Sequence, residues 1–71
     1  MERLPTNIRV NGKQETADVG QTVSALLAAK KVTCASVVVE LNARIVPKDG
    51  YDTAVLKNGD AVEILHFVGG G

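Results

Sequence analysis

The 71-residue sequence lacks the crosslinks that usually stabilise so short a chain. Its single cysteine, Cys34, has no second thiol with which to form an intrachain disulfide. Its single histidine, His66, belongs to no cluster with the spacing of metal ligands. Aromatic side chains are limited to Tyr51 and Phe67. A domain of this size buries only about 60% of its unfolded surface, so the fold must depend on aliphatic packing.

The sequence also has no excess of positive or negative charge. Eight Lys and Arg residues balance eight Asp and Glu residues, which leaves no basic stripe for the phosphates of nucleic acid or a membrane surface. The apolar run over residues 25–29 is far too short to span a bilayer. Residues 1–5 lack the apolar core of a signal peptide. Together with the lone cysteine, these absences predict a cytoplasmic protein with neither nucleic acid nor membrane as partner.

The N-terminal half has the pattern of a hairpin followed by a helix. Residues 6–11 alternate apolar and polar side chains, which predicts a half-buried strand. Asn11-Gly12 is the preferred pair for a two-residue type I′ turn, so residues 13–18 should return as a polar strand at the sheet edge. Thr22 is a good N-cap, and apolar residues at helical spacing predict one helix over residues 23–31.

The C-terminal half is predicted to add three strands. Residues 36–42 are rich in β-branched side chains and predict a strand. Ile45-Val46 is a short strand that ends at Pro47, which has no N–H to donate to a ladder. Residues 61–68 form the last strand. Between them the sequence predicts a turn over residues 48–50 and a second turn over 57–60, and residues 51–56 have an ambiguous pattern that allows a short helical turn.

This order of elements predicts an α+β fold. One helix covers one face of a mixed sheet of four to five strands, and the other face is open to solvent. Residues 1–68 are interpreted as a single domain, and residues 69–71 as a flexible Gly-Gly-Gly tail.

The positions of two glutamates predict which side chains face the helix. An unpaired buried carboxylate is costly, so Glu63 should face outward, and strand alternation then exposes Leu65 and Phe67 as well. The same argument from Glu40 exposes Val38. The neighbours of both glutamates are predicted to fill the core: Val37, Val39, Leu41, Val62 and Ile64.

Val38, Leu65 and Phe67 together define a predicted open-face patch beside the tail. Exposed apolar patches on small proteins mark surfaces that bind partners. Two alternatives would remove the patch: a bulge in the strand, or a loop over residues 44–56 that folds across these side chains. The sequence leaves the three interpretations open.

The glycine tail, Gly69-Gly70-Gly71, is a candidate functional segment. Extended, it reaches roughly 10 Å beyond the strand, and its thin backbone and terminal carboxylate can enter a channel that any side chain would block. The alternative is a flexible end without function. The sequence contains no Walker A loop for binding ATP, so any activation of this carboxylate requires a partner enzyme.

The motif G-D-x-V-E-I over residues 59–64, joined to the terminal Gly70-Gly71, is the most specific part of a resemblance that covers nearly the whole chain. Together with several other stretches, this motif resembles the ThiS family, the sulfur carriers of thiamin biosynthesis. The resemblance implies the ubiquitin-like β-grasp fold. The matching stretches are Val10-Asn11-Gly12, Gly20-Gln21-Thr22-Val23, Val39-Glu40-Leu41-Asn42, Ile45-Val46-Pro47, residues 56–64 and Val68-Gly69-Gly70-Gly71.

The resemblance implies a mechanism in which partners perform the chemistry. A ThiF-type adenylyltransferase would use ATP to adenylate the carboxylate of Gly71, next to Gly70. Sulfur from a donor such as a cysteine desulfurase would replace AMP and leave a thiocarboxylate. A ThiG-type thiazole synthase would take that sulfur into the thiazole ring. The chain would then be a protein co-substrate and not an enzyme, with no cofactor of its own. The implied partner-binding residues are Val38, Leu65, Phe67 and Gly69.

Other interpretations remain open at this stage. MoaD-type carriers of molybdopterin synthesis and ubiquitin-like modifiers share the fold and the Gly-Gly end, and an interaction module could bind through the sheet alone. Cys34 is interpreted as a small buried hydrophobe and not as a sulfur-relay thiol. His66 alternates onto the helix side, where it has no orienting partner for a role as general base.

Overall fold

The computed structural model describes residues 6–67. This part of the chain begins with the predicted hairpin. Strand β1 (Thr6–Val10) pairs antiparallel with β2 (Lys13–Ala17). Asn11 and Gly12 between them have φ angles of 49° and 82°, and two positive values are what a type I′ turn requires. The second strand ends one residue earlier than predicted, because the N–H of Asp18 donates to the Gln21 side chain at 2.9 Å.

One α-helix, α1 (Val23–Ala29), follows the hairpin within the described residues. The hydroxyl of Thr22 accepts a hydrogen bond from the N–H of Ala25 at 3.2 Å, which confirms the predicted N-cap. The helix is shorter than the predicted residues 23–31. Lys30 is already the C-cap, and Lys31 has a left-handed φ of 59° that the helix cannot continue.

Three strands form the C-terminal half: β3 (Val37–Leu41), β4 (Arg44–Ile45) and β5 (Ala61–His66). The bounds of β3 and β4 each differ from the prediction by one residue, whereas β5 begins at Ala61 as predicted and ends at His66. The residues before β3 form a 3₁₀ turn at Cys34–Ser36, and a second 3₁₀ turn occupies Lys48–Gly50. Residue 68, the predicted end of the last strand, lies outside the described residues.

The ambiguous segment over residues 51–56 contains one helical turn and then extends. The N–H of Ala54 donates to the carbonyl of Gly50 at 2.9 Å, which closes a single α-turn. Val55 then forms an isolated antiparallel bridge with Thr22 at the start of α1. The segment therefore crosses beneath the helix N-terminus and carries the chain back toward β5.

The five strands form one mixed sheet in the order β2-β1-β5-β3-β4. The central contact between β1 and β5 is parallel, and the other neighbours are antiparallel. The first and last strands of the domain therefore lie side by side, with the helix as part of the connection between them. This arrangement confirms the predicted ubiquitin-like β-grasp fold.

The core lies between α1 and one face of the sheet. All the side chains that strand alternation assigned to it are buried except Leu41, which is half-buried and packs against the edge of the core. Tyr51 and Leu56 add to the core from the loop that precedes β5. The buried apolar residues are Ile8, Val10, Ala17, Val23, Leu26, Leu27, Val37, Val39, Tyr51, Leu56, Val62 and Ile64.

Candidate functional site

The last strand presents one apolar face to the core and another to solvent. Val62 and Ile64 are buried, and Glu63 between them is exposed. Leu65 and Phe67 are 48% and 59% exposed, respectively. The outward direction predicted for Leu65 and Phe67 is therefore confirmed. It follows from alternation once Glu63 is placed in water.

The open-face patch is assembled by the register between β3 and β5. Val38 lies directly opposite Leu65 and is half-buried, and Phe67 follows Leu65 two residues later along the same face. The ladder runs without interruption from Val37 opposite His66 to Leu41 opposite Val62. A bulge that would rotate these side chains away is therefore absent from this ladder.

Two carboxylates adjoin the patch on the same face. Glu40 lies directly opposite Glu63 in the β3–β5 ladder. Like charges at directly opposed positions repel each other. Among residues 6–67 the one ion pair is between Lys30 and Glu15, at 2.7 Å, so neither carboxylate is neutralised by a basic side chain of the described chain. The open face thus combines apolar side chains with local negative charge.

The loop after β4 contributes one side chain next to the patch. The Nζ of Lys48 donates to the carbonyl oxygens of Cys34 at 2.8 Å and Val37 at 2.7 Å. It also lies 5.7 Å from the centroid of the Tyr51 ring and 5.6 Å from that of the Phe67 ring. The alternative in which the loop over residues 44–56 covers the patch is therefore wrong, since Leu65 and Phe67 remain exposed.

Cys34 and His66 are both exposed. The prediction of a buried Cys34 is wrong, because the 3₁₀ turn at Cys34–Ser36 runs outside the core, with none of its residues buried. His66 lies on the helix side of β5, as predicted, and lines a shallow depression with Lys30 and Val32.

The G-D-x-V-E-I motif begins with a hydrogen-bonded turn that fixes the start of β5. The carboxylate of Asp60 accepts from the N–H of Lys57 at 2.8 Å and from the side-chain amide of Asn42 at 2.9 Å. The amide oxygen of Asn42 accepts in turn from the N–H of Ala61 at 2.9 Å. Asp60 therefore acts through turn geometry, as its position after Asn58-Gly59 predicts.

Asn11 has a second role that the sequence analysis did not assign. Its side-chain oxygen accepts from the N–H of Ile64 at 2.7 Å, and its side-chain nitrogen donates to the carbonyl of the same residue at 3.2 Å. The amide thus replaces the next backbone unit of β1 and lengthens its pairing with β5. The Asn-Gly pair signals the turn, but this contact depends on a strand 53 residues away.

The described part of the chain contains neither a metal-binding cluster nor a membrane-spanning helix. No group of three or more His, Cys, Asp or Glu side chains within residues 6–67 could hold a metal ion. In the same range, no helix has the length and apolar character needed to cross a bilayer. The predicted tail residues Gly69, Gly70 and Gly71 lie outside the described residues. The candidate site is therefore the open-face patch, at the point where β5 leads toward the tail.

These features define a β-grasp domain of the ubiquitin-like class, with its exposed apolar side chains on the strand that precedes a Gly-Gly end. The model of the ThiS family matches residues 8–71. The sulfur carrier protein ThiS of Bacillus subtilis (strain 168) is 39% identical over 66 residues, which cover 90% of this chain and 98% of that protein. This chain therefore belongs to the ThiS family.

Solved structures and longer relatives agree with this assignment. The crystal structure of the thiamine biosynthesis protein (ThiS) from Geobacter metallireducens is similar with a TM-score of 0.79 and 43% identity, over 93% of this chain and 100% of that one. A thiazole synthase of Paramagnetospirillum magneticum (strain ATCC 700264 / AMB-1) is 40% identical over 62 residues, or 87% of this chain. The chain spans about a fifth of the length of this thiazole synthase and of a second one that it matches.

Proposed function

We propose that this chain is a sulfur carrier that delivers sulfur, as a thiocarboxylate on Gly71, to the enzyme that forms the thiazole ring of thiamin. The observation that carries the proposal is the family match, which extends from residue 8 through residue 71 and so includes Gly70-Gly71. The similarity to a sulfur carrier of nearly the same length supports it. The carrier role fits this domain, because its described residues form a small core behind a last strand whose outward side chains are exposed.

The proposed chemistry begins with activation of the terminal carboxylate. A carboxylate oxygen of Gly71 attacks the α-phosphorus of ATP held by a ThiF-type adenylyltransferase. The bond to the β-phosphate breaks, pyrophosphate leaves, and Gly71 becomes an acyl adenylate. The partner must hold the ATP, because this sequence has no Walker A loop. ATP and reduced thiols are both cytoplasmic, and we place the reaction in that compartment.

Sulfur then replaces the nucleotide. A sulfur nucleophile attacks the carbonyl carbon of the adenylate and AMP leaves with the electron pair of the broken C–O bond. With hydrosulfide the product is the thiocarboxylate directly. With the persulfide of a cysteine desulfurase the product is an acyl disulfide, and a thiol must then reduce its S–S bond to release the thiocarboxylate.

The open-face patch is the surface through which we propose that the carrier binds its partner enzymes. Leu65 and Phe67 offer exposed apolar area on the strand that leads to the tail. Glu40 and Glu63, opposed on the same face, favour a partner surface that places a basic side chain between them. A ThiG-type thiazole synthase is one proposed partner, since relatives with that name contain a segment similar to this chain.

Intact-mass spectrometry tests the proposal directly. The protein is incubated with a purified ThiF-type adenylyltransferase, ATP and sodium sulfide. We expect a mass increase that matches one oxygen exchanged for one sulfur, and fragmentation should locate it at Gly71. Omission of ATP and deletion of Gly71 are the controls, and both should abolish the increase. An unchanged mass, while the same enzyme converts another ThiS protein, would overturn the proposal.

A second candidate is an interaction module with a passive tail, which the exposure of Leu65 and Phe67 favours on its own. This candidate and the carrier differ in the role of Gly71. If the chain only binds partners, Phe67→Ala weakens their association and deletion of Gly71 changes nothing. If it carries sulfur, deletion of Gly71 abolishes transfer even where binding persists.

A further inference from the structure

Lys48 occupies a site built from two carbonyl oxygens and two aromatic rings. Its Nζ donates to Cys34 and Val37 at 2.8 and 2.7 Å. It lies 5.7 Å from the ring centroid of Tyr51 and 5.6 Å from that of Phe67, within the distance at which a cation is attracted to a ring face. The long side chain of a surface lysine usually stays mobile in water, so four contacts to one ammonium are unusual.

The topology of the sheet explains why a cation is favourable at this position. Strand β4 pairs with β3 at Glu40 and Leu41, and the N–H of Val46 donates to the carbonyl of Val39. The carbonyl of Val37 therefore lies beyond the end of the β4 ladder, where no backbone N–H within residues 6–67 donates to it from that edge. The hydroxyl of Tyr51 donates to it only at 3.5 Å. An edge carbonyl of this kind favours a closer donor, and the ammonium of Lys48 supplies one with a full charge at 2.7 Å.

The two rings differ in what they can contribute. Tyr51 is 2% exposed and belongs to the core, so core packing holds its ring in place on one side of the cation site. Phe67 is 59% exposed and lies one residue beyond β5. Its N–H donates to the carbonyl of Ser36 at 3.1 Å, which fixes its backbone. The ammonium of Lys48 lies between this ring and that of Tyr51 and so links Phe67 to the core.

We propose that Lys48 is a positioning residue of the carrier: its ammonium holds the Phe67 ring against the domain and so fixes the position from which the chain continues to residue 68. This inference rests on the proposed function, since it concerns how the end of the chain is presented to the adenylating enzyme. A restrained Phe67 reduces the number of conformations that the partner must select on binding. Loss of the cation should therefore weaken productive binding and leave the chemical step unchanged.

The kinetic test compares three single variants with the wild type in ThiF-type adenylation assays. Lys48→Met keeps the stem and removes both charge and donor, and we expect KM for the carrier to rise about fivefold with kcat unchanged. Lys48→Arg keeps a cation that can donate and stack, so KM should stay within about twofold of the wild type. Lys13→Met is the matched control, because Lys13 is exposed on β2, at the opposite edge of the sheet from the β3–β4 edge that Lys48 contacts, and it should behave as wild type.

A variant cycle separates positioning from direct contact with the partner. In the Phe67→Leu background, Lys48→Met should have no further effect on KM, because the ring through which Lys48 acts is gone. An equal rise in both backgrounds would show that Lys48 contacts the enzyme itself and would overturn the inference. A wild-type KM for Lys48→Met would overturn it as well. If Lys48→Met does not fold, Lys48→Gln repeats the comparison with one neutral donor retained.

A spectroscopic measurement on the isolated protein tests the contact without any partner. In the wild type, the ring currents of Tyr51 and Phe67 should shift the ε-methylene protons of Lys48 away from the values of the other lysines. Phe67→Leu should reverse part of this shift. Unshifted protons in the wild type would overturn the inference, whereas failure of adenylation with the shift intact would overturn the proposed function instead.

Discussion

At the scale of single residues, the side of the sheet on which a leucine lies decides whether it is buried in the core or exposed on the proposed partner surface. Leu27 on α1 is 0% exposed and is among the largest fully buried side chains. Leu65 on β5 is 48% exposed and lies between Ile64 and His66 in the sequence. The same residue type therefore differs between the two positions in its contact with water.

We predict that Leu27→Ala lowers the free energy of unfolding by about 3 kcal/mol, because it removes buried methyl groups and leaves a cavity. Leu65→Ala should change it by less than about 1 kcal/mol, since the surface it truncates is already in water. Urea denaturation followed by circular dichroism measures both. Equal losses for the two variants would mean that Leu65 is buried in solution and would contradict the open-face patch.

At the scale of elements, the parallel pairing of β1 with β5 connects the N-terminal hairpin to the C-terminal strands, and this pairing is short. Its ladder has only two pairs, Arg9 with Ala61 and Val10 with Val62. Asn11 extends it by presenting its amide to both backbone groups of Ile64. Asn11 therefore has two roles: its backbone adopts the left-handed conformation that the hairpin turn needs, and its side chain continues the central ladder.

We predict that Asn11→Asp lowers the free energy of unfolding by about 1–3 kcal/mol. The carboxylate keeps the acceptor for the N–H of Ile64 but loses the donor and places a negative oxygen against its carbonyl. The matched control is Asn58→Asp, because Asn58 uses only its acceptor, toward the N–H of Asn7 at 2.8 Å. That control should stay within about 0.5 kcal/mol of the wild type. Equal effects of the two variants in urea unfolding would refute the bidentate role of Asn11.

At the scale of the whole molecule, one helix covers one face of a five-stranded sheet and leaves the other exposed. The exposed face carries Val38, Leu65 and Phe67 where β3 and β5 meet, and β3 begins beside the end of β5. It also carries Ile45 of β4, which lies opposite Glu40 and is 67% exposed. Core packing and the proposed partner surface are thus on opposite faces. Variants of the open face should alter partner binding without altering the fold.

We predict that Leu65→Ala raises KM of the carrier for a ThiF-type adenylyltransferase about tenfold, as expected for loss of a buried leucine contact in the complex. Val19→Ala is the control, because Val19 is similarly exposed, at 51%, but lies in the turn before α1. Its KM should equal that of the wild type. Steady-state pyrophosphate release measures both variants, and an unchanged KM for Leu65→Ala would remove Leu65 from the partner surface.

The sequence by itself determined an α+β fold with one helix on one face of a mixed sheet, the hairpin turn, the helix cap and the inward or outward direction of nearly every strand residue. These features follow from local rules: positive φ at Asn11-Gly12, a hydroxyl at Thr22, and alternation anchored by Glu63, which is costly to bury. The family motif in residues 59–64 and the Gly-Gly end were visible in the same way, and the ThiS family match confirms the resemblance drawn from them.

Only the tertiary structure decided the features that depend on distant partners. It exposed Cys34, because a 3₁₀ turn outside the core replaced the start of the predicted strand. It brought Glu40 opposite Glu63 through the β3–β5 register, placed Asn11 on Ile64, and seated Lys48 between Tyr51 and Phe67. Local propensity acts over a few residues, whereas these contacts join positions that only chain topology makes neighbours.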